Sequence, residues 1–182
     1  SRLEPTQALV AALHEIETKP KVLINASAVG YYGDTGERTA DEASSCGSGF
    51  LAQLCLAWER EALKAAALGV RTVCLRLGAV LGADGGMLAR LAPLFRLGLG
   101  GPLGDGRQWL SWISREDLAG LVAHLLGADV SDGVNAGAPR PVTNQEFCRT
   151  LGRVLGRPAR LRVPRPALRL VLGELAGALL EG

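Results

Sequence analysis

Leu9, Leu13 and Ile16 recur at helical spacing ahead of Pro20. Ser1-Arg-Leu-Glu4 has the form of a capping box, so a first helix is predicted to about Thr18. The short apolar run Lys21–Ala26 reads as a buried strand. Residues 27–49 are polar and rich in Gly, Asp and Ser with no helical period, a length of loop that is commonly functional. From Phe50 to Leu68, Leu51, Leu54, Trp58 and Ala62 line one helical face, and Gly69 ends the helix. Val70–Arg76 is β-branched at Val70, Thr72 and Val73 and predicts the next strand.

Beyond it, a glycine-punctuated loop (Gly78–Gly86) precedes a helix over Met87–Leu97. Gly98–Gly106 holds five glycines and reads as an ordered loop or lid. A short strand is predicted at Trp109–Ile113, a helix at Arg115–Leu126 and a brief strand at Gly133–Ala136. Thr143-Asn-Gln-Glu146 is a second capping box, followed by Phe147, Leu151 and Leu155 on one face. Leu161–Val163 reads as an edge strand, and a last helix follows Val163-Pro-Arg-Pro-Ala. Strands that alternate with helices predict an α/β fold with a mainly parallel sheet. Such folds take their ligands at the C-terminal strand ends, here Ala26–Gly30 and Leu77–Leu81.

Composition narrows the classes. The chain has 182 residues, 48% hydrophobic and 21% charged, with a net charge of +2, ordinary for a globular domain. Aromatic residues make up 4%, too few for a base-stacking surface, so no nucleic-acid partner is expected. The most apolar stretch, Ala167–Leu180, is interrupted by Arg169, Gly173 and Glu174, and no membrane partner is expected. Ser1–Ile16 has no apolar signal core, and the chain opens on Ser1, which suggests a start within a longer protein. The four cysteines include no C-x-x-C pair and only two histidines accompany them, so no metal site is expected and reduced, cytoplasmic thiols are. Asp34, Glu37, Asp41 and Glu42 read as solvated loop charge. The arginines from Arg149 to Arg169 read as a solvated basic face or a surface for further segments.

Candidate chemistry concentrates in Asn25-Ala-Ser-Ala-Val-Gly-Tyr-Tyr-Gly33. A serine past a buried strand can point its hydroxyl into a crevice, and small neighbours let a planar ring approach; the alternative is a turn of small residues.

That segment, the strand ending Leu-Arg-Leu-Gly-x-Val-Leu-Gly82, Asp105-Gly106 with Trp112-Ile113 and Asp117-Leu118, and Gly133-Val-Asn135 with Thr143-x-x-Glu146 follow one order. The order resembles that of the extended short-chain dehydrogenases/reductases. Ser-Ala-Val-Gly-Tyr-Tyr-Gly, Pro93–Pro102 and Gly106–Ile113 resemble in particular the atypical "epimerase family" group, with Pro158–Gly182 similar to the start of its C-terminal domain. The resemblance implies a partial Rossmann-like, doubly wound parallel sheet with a small C-terminal α/β substrate-side region. Residues 1–82 would belong to the dinucleotide-binding domain. Residues 83–182 would form the substrate side, intertwined with it. No glycine-rich phosphate turn leading into a helix occurs in the 182 residues, and the resemblance sets that turn ahead of Ser1.

The implied cofactor is NADP, with NAD not excluded. Its nicotinamide end would lie against Ala26, Ser27, Ala28, Leu77, Gly78 and Val80. Members of the family use Ser, Tyr and Lys, the last two as Tyr-x-x-x-Lys. Ser27 matches the serine, but the other two positions hold Phe50 and Leu54, neither of which carries a proton. Tyr31 or Tyr32 is then the candidate replacement acid, the alternative being that both pack as loop aromatics. Arg107 and Trp109 are expected beside a small-molecule substrate, and a homodimer is allowed. Two readings result: an NAD(P)-dependent oxidoreductase- or nucleotide-sugar-epimerase-like protein, or a catalytically inactive NADP-binding sensor or scaffold.

Nucleotide-sugar epimerases carry an arginine for the substrate pyrophosphate where this chain has Leu110, and a leucine offers no charge to a diphosphate. Calorimetric titration of the full-length protein with UDP-glucose is therefore expected to give no binding in the micromolar range, and micromolar affinity would contradict the assignment.

Overall fold

The computed structural model describes residues 2–162. The predicted last helix, the apolar stretch 167–180 and the end of the predicted Leu161–Val163 strand lie outside the described residues, and Leu161 and Arg162 are in no strand. The fold is mixed α/β, and its larger sheet is parallel in the order β1 (Val22–Ala28), β2 (Arg71–Leu77), β6 (Asp132–Ala136). The chain divides into two compact units. One comprises residues 1–78 and 116–136, the other 79–115 and 137–182.

In the first unit, β2 is the central strand. Its positions Thr72–Arg76 are all buried, as expected of a strand covered on both faces. β1 is an edge strand of this sheet, with Asn25 and Ser27 inward and Ala26 exposed. Helix α1 (Leu3–Glu15) starts after Arg2, and Ser1 of the predicted capping box lies outside the described residues. It packs on α2 (Phe50–Leu63), and Trp58 Nε1 donates to Thr6 Oγ1 at 2.8 Å across that contact. Val10, Leu13, Ala65 and Val70 form a buried cluster with Leu23 and Leu68 against it.

Two departures from the sequence pattern shape the first unit. The buried stripe of α2 is Ala52, Cys55, Glu59 and Ala62, shifted from the predicted Leu51, Leu54, Trp58 and Ala62. Small side chains let the helix lie close on β1 and β2, and Leu51 stays exposed. The helix also ends at Leu63 and tightens into a 3-10 turn (Lys64–Leu68) closed by Gly69 at φ 79°. Helix α4 (Arg115–Gly127) leads to β6, and Arg71 donates to the carbonyls of Leu125 and Leu126, terminating α4 with a cation.

The second unit holds what the glycine-rich pattern obscured. Residues 79–82, predicted as loop, form strand β3 (Ala79–Gly82), parallel to β5 (Trp112–Ser114). The predicted Trp109–Ile113 strand splits at Ser111, because β4 (Trp109–Leu110) pairs instead with β7 (Val142–Thr143), antiparallel. Partners this distant in sequence leave no local periodicity to read. Helix α3 (Gly86–Arg96) has its most buried residue at Phe95. Helix α5 (Asn144–Val154) is deepest at Cys148 and Gly152, and Phe147, Leu151 and Leu155 flank that line half-buried.

The capping box at α5 is formed as predicted. Glu146 N donates to Thr143 Oγ1 at 3.2 Å, and Thr143 N donates to Glu146 at 2.9 Å. Thr143→Ala is expected to lower stability by about 1 kcal/mol in urea unfolding, with the slope unchanged. A shift in midpoint no larger than error would show that the cap is redundant.

Candidate functional site

β1 and β2 run in register from Val22↔Arg71 to Ala28↔Leu77, so the ends of both strands meet at one edge of the sheet. Ala26 is exposed, and Ala28, Leu77 and Gly78 are half-buried there. Gly78 N donates to Ala136 O, which brings the end of β6 to the same edge. Val80 belongs to the second unit, on β3.

The geometry corrects the expected orientation of Ser27. It lies within β1, not past it, and is 3% exposed. Its hydroxyl donates to Glu59 Oε1 at 2.6 Å, not into an open crevice. Arg76 meets the same carboxylate as a fork. Its Nε lies 3.0 Å from Oε1 and its Nη2 lies 2.9 Å from Oε2, with both side chains buried. Arg76 Nη1 donates to Tyr32 Oη at 2.9 Å, and Tyr32 Oη donates to Asn135 Oδ1 at 2.7 Å. One chain of hydrogen bonds thus runs from β1 through α2 and β2 to β6. Glycine at 133 makes room for it, since a Cβ there would stand 2.6 Å from Arg76 Cζ.

Both tyrosines follow β1 in a 3-10 turn, Val29–Tyr32. Tyr32 is buried and its hydroxyl is engaged on both sides. The Arg76 guanidinium lies 3.6 Å from the centre of the Tyr31 ring, a cation–π contact, and the two rings meet edge to face at 5.3 Å. The polar loop is tied back to this turn. Gly47 N donates to Tyr31 O, and the Glu42 carboxylate accepts from Asn135 N at 2.9 Å. Glu42, read from the sequence as solvated charge, therefore fixes the loop to β6.

Burial works against the Arg76 charge. The hydrogen bonds that Arg76 donates to Glu59 and Tyr32 outweigh it and hold the guanidinium above its usual range. Burial pushes the Cys74 thiol, beside Arg76 in β2, up to about 12, and raises Cys55 as well. Both stay protonated at neutral pH and serve as packing, not as nucleophiles. Phe50, at the position of the family tyrosine, opens α2 at 79% exposure, and Leu54 is half-buried. Arg107 and Trp109 are both exposed in the second unit. The Arg107 amide bonds Asp105 Oδ1, and Trp109 is paired in β4.

Arg76 and Asn135 fall inside the motifs that carry the family resemblance, but nothing in those motifs marks them as a network, and Glu59 lies in none. The usable signal is a charge inside the apolar strand Val-Cys-Leu-Arg-Leu, which requires a partner. The partner sits on the small-residue stripe of α2.

A parallel sheet with small residues at coincident strand ends is the arrangement of dinucleotide-binding α/β proteins. The NAD dependent epimerase/dehydratase family model matches residues 1–137, and the chain belongs to that family. It is 48% identical over 177 residues to an epimerase family protein of Mycobacterium bovis, covering 97% of this chain and 58% of that protein. It is 45% identical over 185 residues to the chloroplastic SDR39U1 homolog of Arabidopsis thaliana, covering 100% of this chain and 53% of that protein. The human epimerase family protein SDR39U1, solved with NADPH, superposes with a TM-score of 0.91 at 38% identity, over 99% of this chain and 62% of that one. A Thermus thermophilus UDP-glucose 4-epimerase, at 22% identity and a TM-score of 0.75, shares the fold. The chain thus spans little more than half the length of these curated relatives.

Breaking a buried ion pair by removing one partner costs about 3–5 kcal/mol, because the remaining charge stays buried. Glu59→Ala is expected to lose stability on that scale in urea unfolding. Glu59→Leu with Arg76→Met, which removes both charges, is expected to be more stable than Glu59→Ala. A double variant as unstable as the single one would contradict the pairing as the cause.

Proposed function

We propose that the full-length protein is an NADP-binding oxidoreductase- or nucleotide-sugar-epimerase-like protein acting on a small molecule. The nicotinamide end would be received at the edge formed by Ala26–Ala28 and Leu77–Gly78. The observation that carries the reading is the coincidence of two parallel strand ends, Ala28 against Leu77, with the small residues Ala26, Ala28 and Gly78 at that edge. Membership of the family and the NADPH bound to the human relative support it. Because that relative was solved with NADPH, NADP is preferred to NAD.

The residues fit a binding wall better than a proton relay. Alanine methyls and backbone form the wall, while the Ser27 hydroxyl is committed to Glu59. Ser27 then acts by holding Glu59, and through it Arg76 and the tyrosine turn. When bound, the cofactor supplies hydride transfer at the nicotinamide ring. The chain contributes shape, exclusion of water and the fixed position of Tyr31. Tyr32 has its proton committed to Asn135 and accepts from Arg76, which leaves Tyr31 as the group to test for proton transfer. Phe50 and Leu54 favour the second reading, cofactor binding without turnover, because neither can move a proton. Arg107 and Trp109 are assigned to the substrate side. Four free thiols suit a reducing compartment such as the cytoplasm.

Fluorescence titration of the full-length protein with NADPH is expected to saturate. Ala28→Leu, which fills the edge, should weaken binding by roughly tenfold, about 1.4 kcal/mol. Unchanged affinity in that variant would remove the cofactor from this edge. A turnover screen with NADPH and small carbonyl compounds separates the two readings. Activity lost in Tyr31→Phe with NADPH affinity retained supports the enzyme, and no turnover with tight NADPH binding supports the sensor.

A further inference from the structure

Helix α2 climbs past the end of β1 in steps of one turn. Glu59 accepts from the Ser27 hydroxyl. One turn earlier the Cys55 thiol meets the Ala28 backbone. A further turn back, Leu51 Cβ stands 3.8 Å from the point a Cβ on Gly30 would occupy. Residues 51, 55 and 59 are spaced by four and lie along one row of the helix. Because β1 ends at Ala28, the first turn of α2 stands beyond the strand end, beside the tyrosine turn. The segment leading into α2 is held against that turn. Gly47 N donates to Tyr31 O, and a side chain at Gly47 would collide with the Tyr32 carbonyl.

What stands there is apolar. Phe50 opens the helix at 79% exposure, and Leu51 beside it is 43% exposed. The Tyr31 ring is half-buried and backed by the Arg76 guanidinium. The charges beneath this turn are committed inward. Arg76 and Glu59 pair with each other, and Glu42 accepts from Asn135 N. Single exposed leucines require no explanation, but adjoining apolar side chains at a ligand edge mark a contact surface. A sugar placed against Phe50 and Leu51 would lose water from hydroxyls that these side chains cannot pair, at a cost for each. A flat apolar ring carries no such cost, and aromatic side chains favour it further. Its carbonyl oxygen would have the Tyr31 hydroxyl as the one side-chain donor of the three.

We propose that Phe50, Leu51 and Tyr31 form the substrate wall of the first unit, and that the substrate is a carbonyl compound with an apolar ring at its reacting end, not a sugar. The assignment rests on the cofactor reading, which sets the nicotinamide at the neighbouring edge of Ala28 and Gly78.

The test is isothermal titration of the full-length protein with two ketones, acetophenone and dihydroxyacetone, in the presence of saturating oxidised NADP so that no hydride is transferred. Acetophenone carries its carbonyl on an apolar ring, and dihydroxyacetone carries it between two hydroxymethyl groups. The native protein and Phe50→Tyr, which keeps the ring, are expected to bind acetophenone roughly tenfold more tightly than dihydroxyacetone. Phe50→Ala is expected to lose roughly tenfold in acetophenone affinity, with NADPH affinity unchanged. At 79% exposure the Phe50 side chain is outside the core, so this variant is expected to melt as the native protein does. Three results would overturn the proposal: no acetophenone binding up to about 10 mM, equal affinity for the two ketones, or acetophenone affinity unchanged in Phe50→Ala. A fall in NADPH affinity in Phe50→Ala would also overturn it, by assigning the ring to the cofactor. Titration of the same native protein with NADPH separates the two readings. Saturation by NADPH beside any of these results overturns the substrate wall alone. No saturation by NADPH overturns the cofactor reading on which it rests.

Discussion

Arg76 places a full positive charge inside the central strand of the parallel sheet, at 5% exposure. A guanidinium in that setting persists only if a carboxylate shares its burial and the remaining donors are satisfied. Glu59 supplies the carboxylate from α2, Tyr32 takes a further donor, and no buried side-chain nitrogen or oxygen among the described residues lacks a partner. The demands of this one charge reach outward. They turn Ser27 inward and allow only glycine at 133. They also bring the Tyr31–Tyr32 turn onto the end of β2.

The consequence for function is a rigid edge. β1 and β2 are linked by their own ladder, by α2 through Glu59, and by the tyrosine turn. Polar networks that are fully satisfied fix one conformation and strengthen in low dielectric. The ring-binding wall proposed for this edge would benefit from that fixity more than from any reactive group of its own. The residues facing outward, Ala26 and Ala28, are small, and the chemically rich residues face inward as support.

Much of the fold was legible because it is written locally. The apolar runs at residues 21–26 and 70–76 gave β1 and β2 to within two residues, and the Thr143 capping box gave the start of α5. Elements that depend on distant partners were hidden. β3 reads as a glycine loop until β5 is placed beside it, and β4 separates from β5 only because β7 claims it. The same division holds for the site. Small residues at the strand ends are visible in sequence, as is the loss of Tyr-x-x-x-Lys at Phe50 and Leu54. The direction of the Ser27 side chain is not, because it depends on a carboxylate 32 residues away. Placing Glu59 on the buried stripe of α2 would have required recognising that Arg76 must be paired.

The central claim is that Glu59, Arg76 and Tyr32 act as one unit. A double-mutant cycle tests it most directly, using Glu59→Gln and Tyr32→Phe, alone and combined, with stability read from urea unfolding. Each hydrogen-bonds Arg76, the side chain through which the coupling is expected to pass. The account predicts a coupling energy of roughly 0.5–3 kcal/mol, whereas additivity within about 0.3 kcal/mol would contradict it.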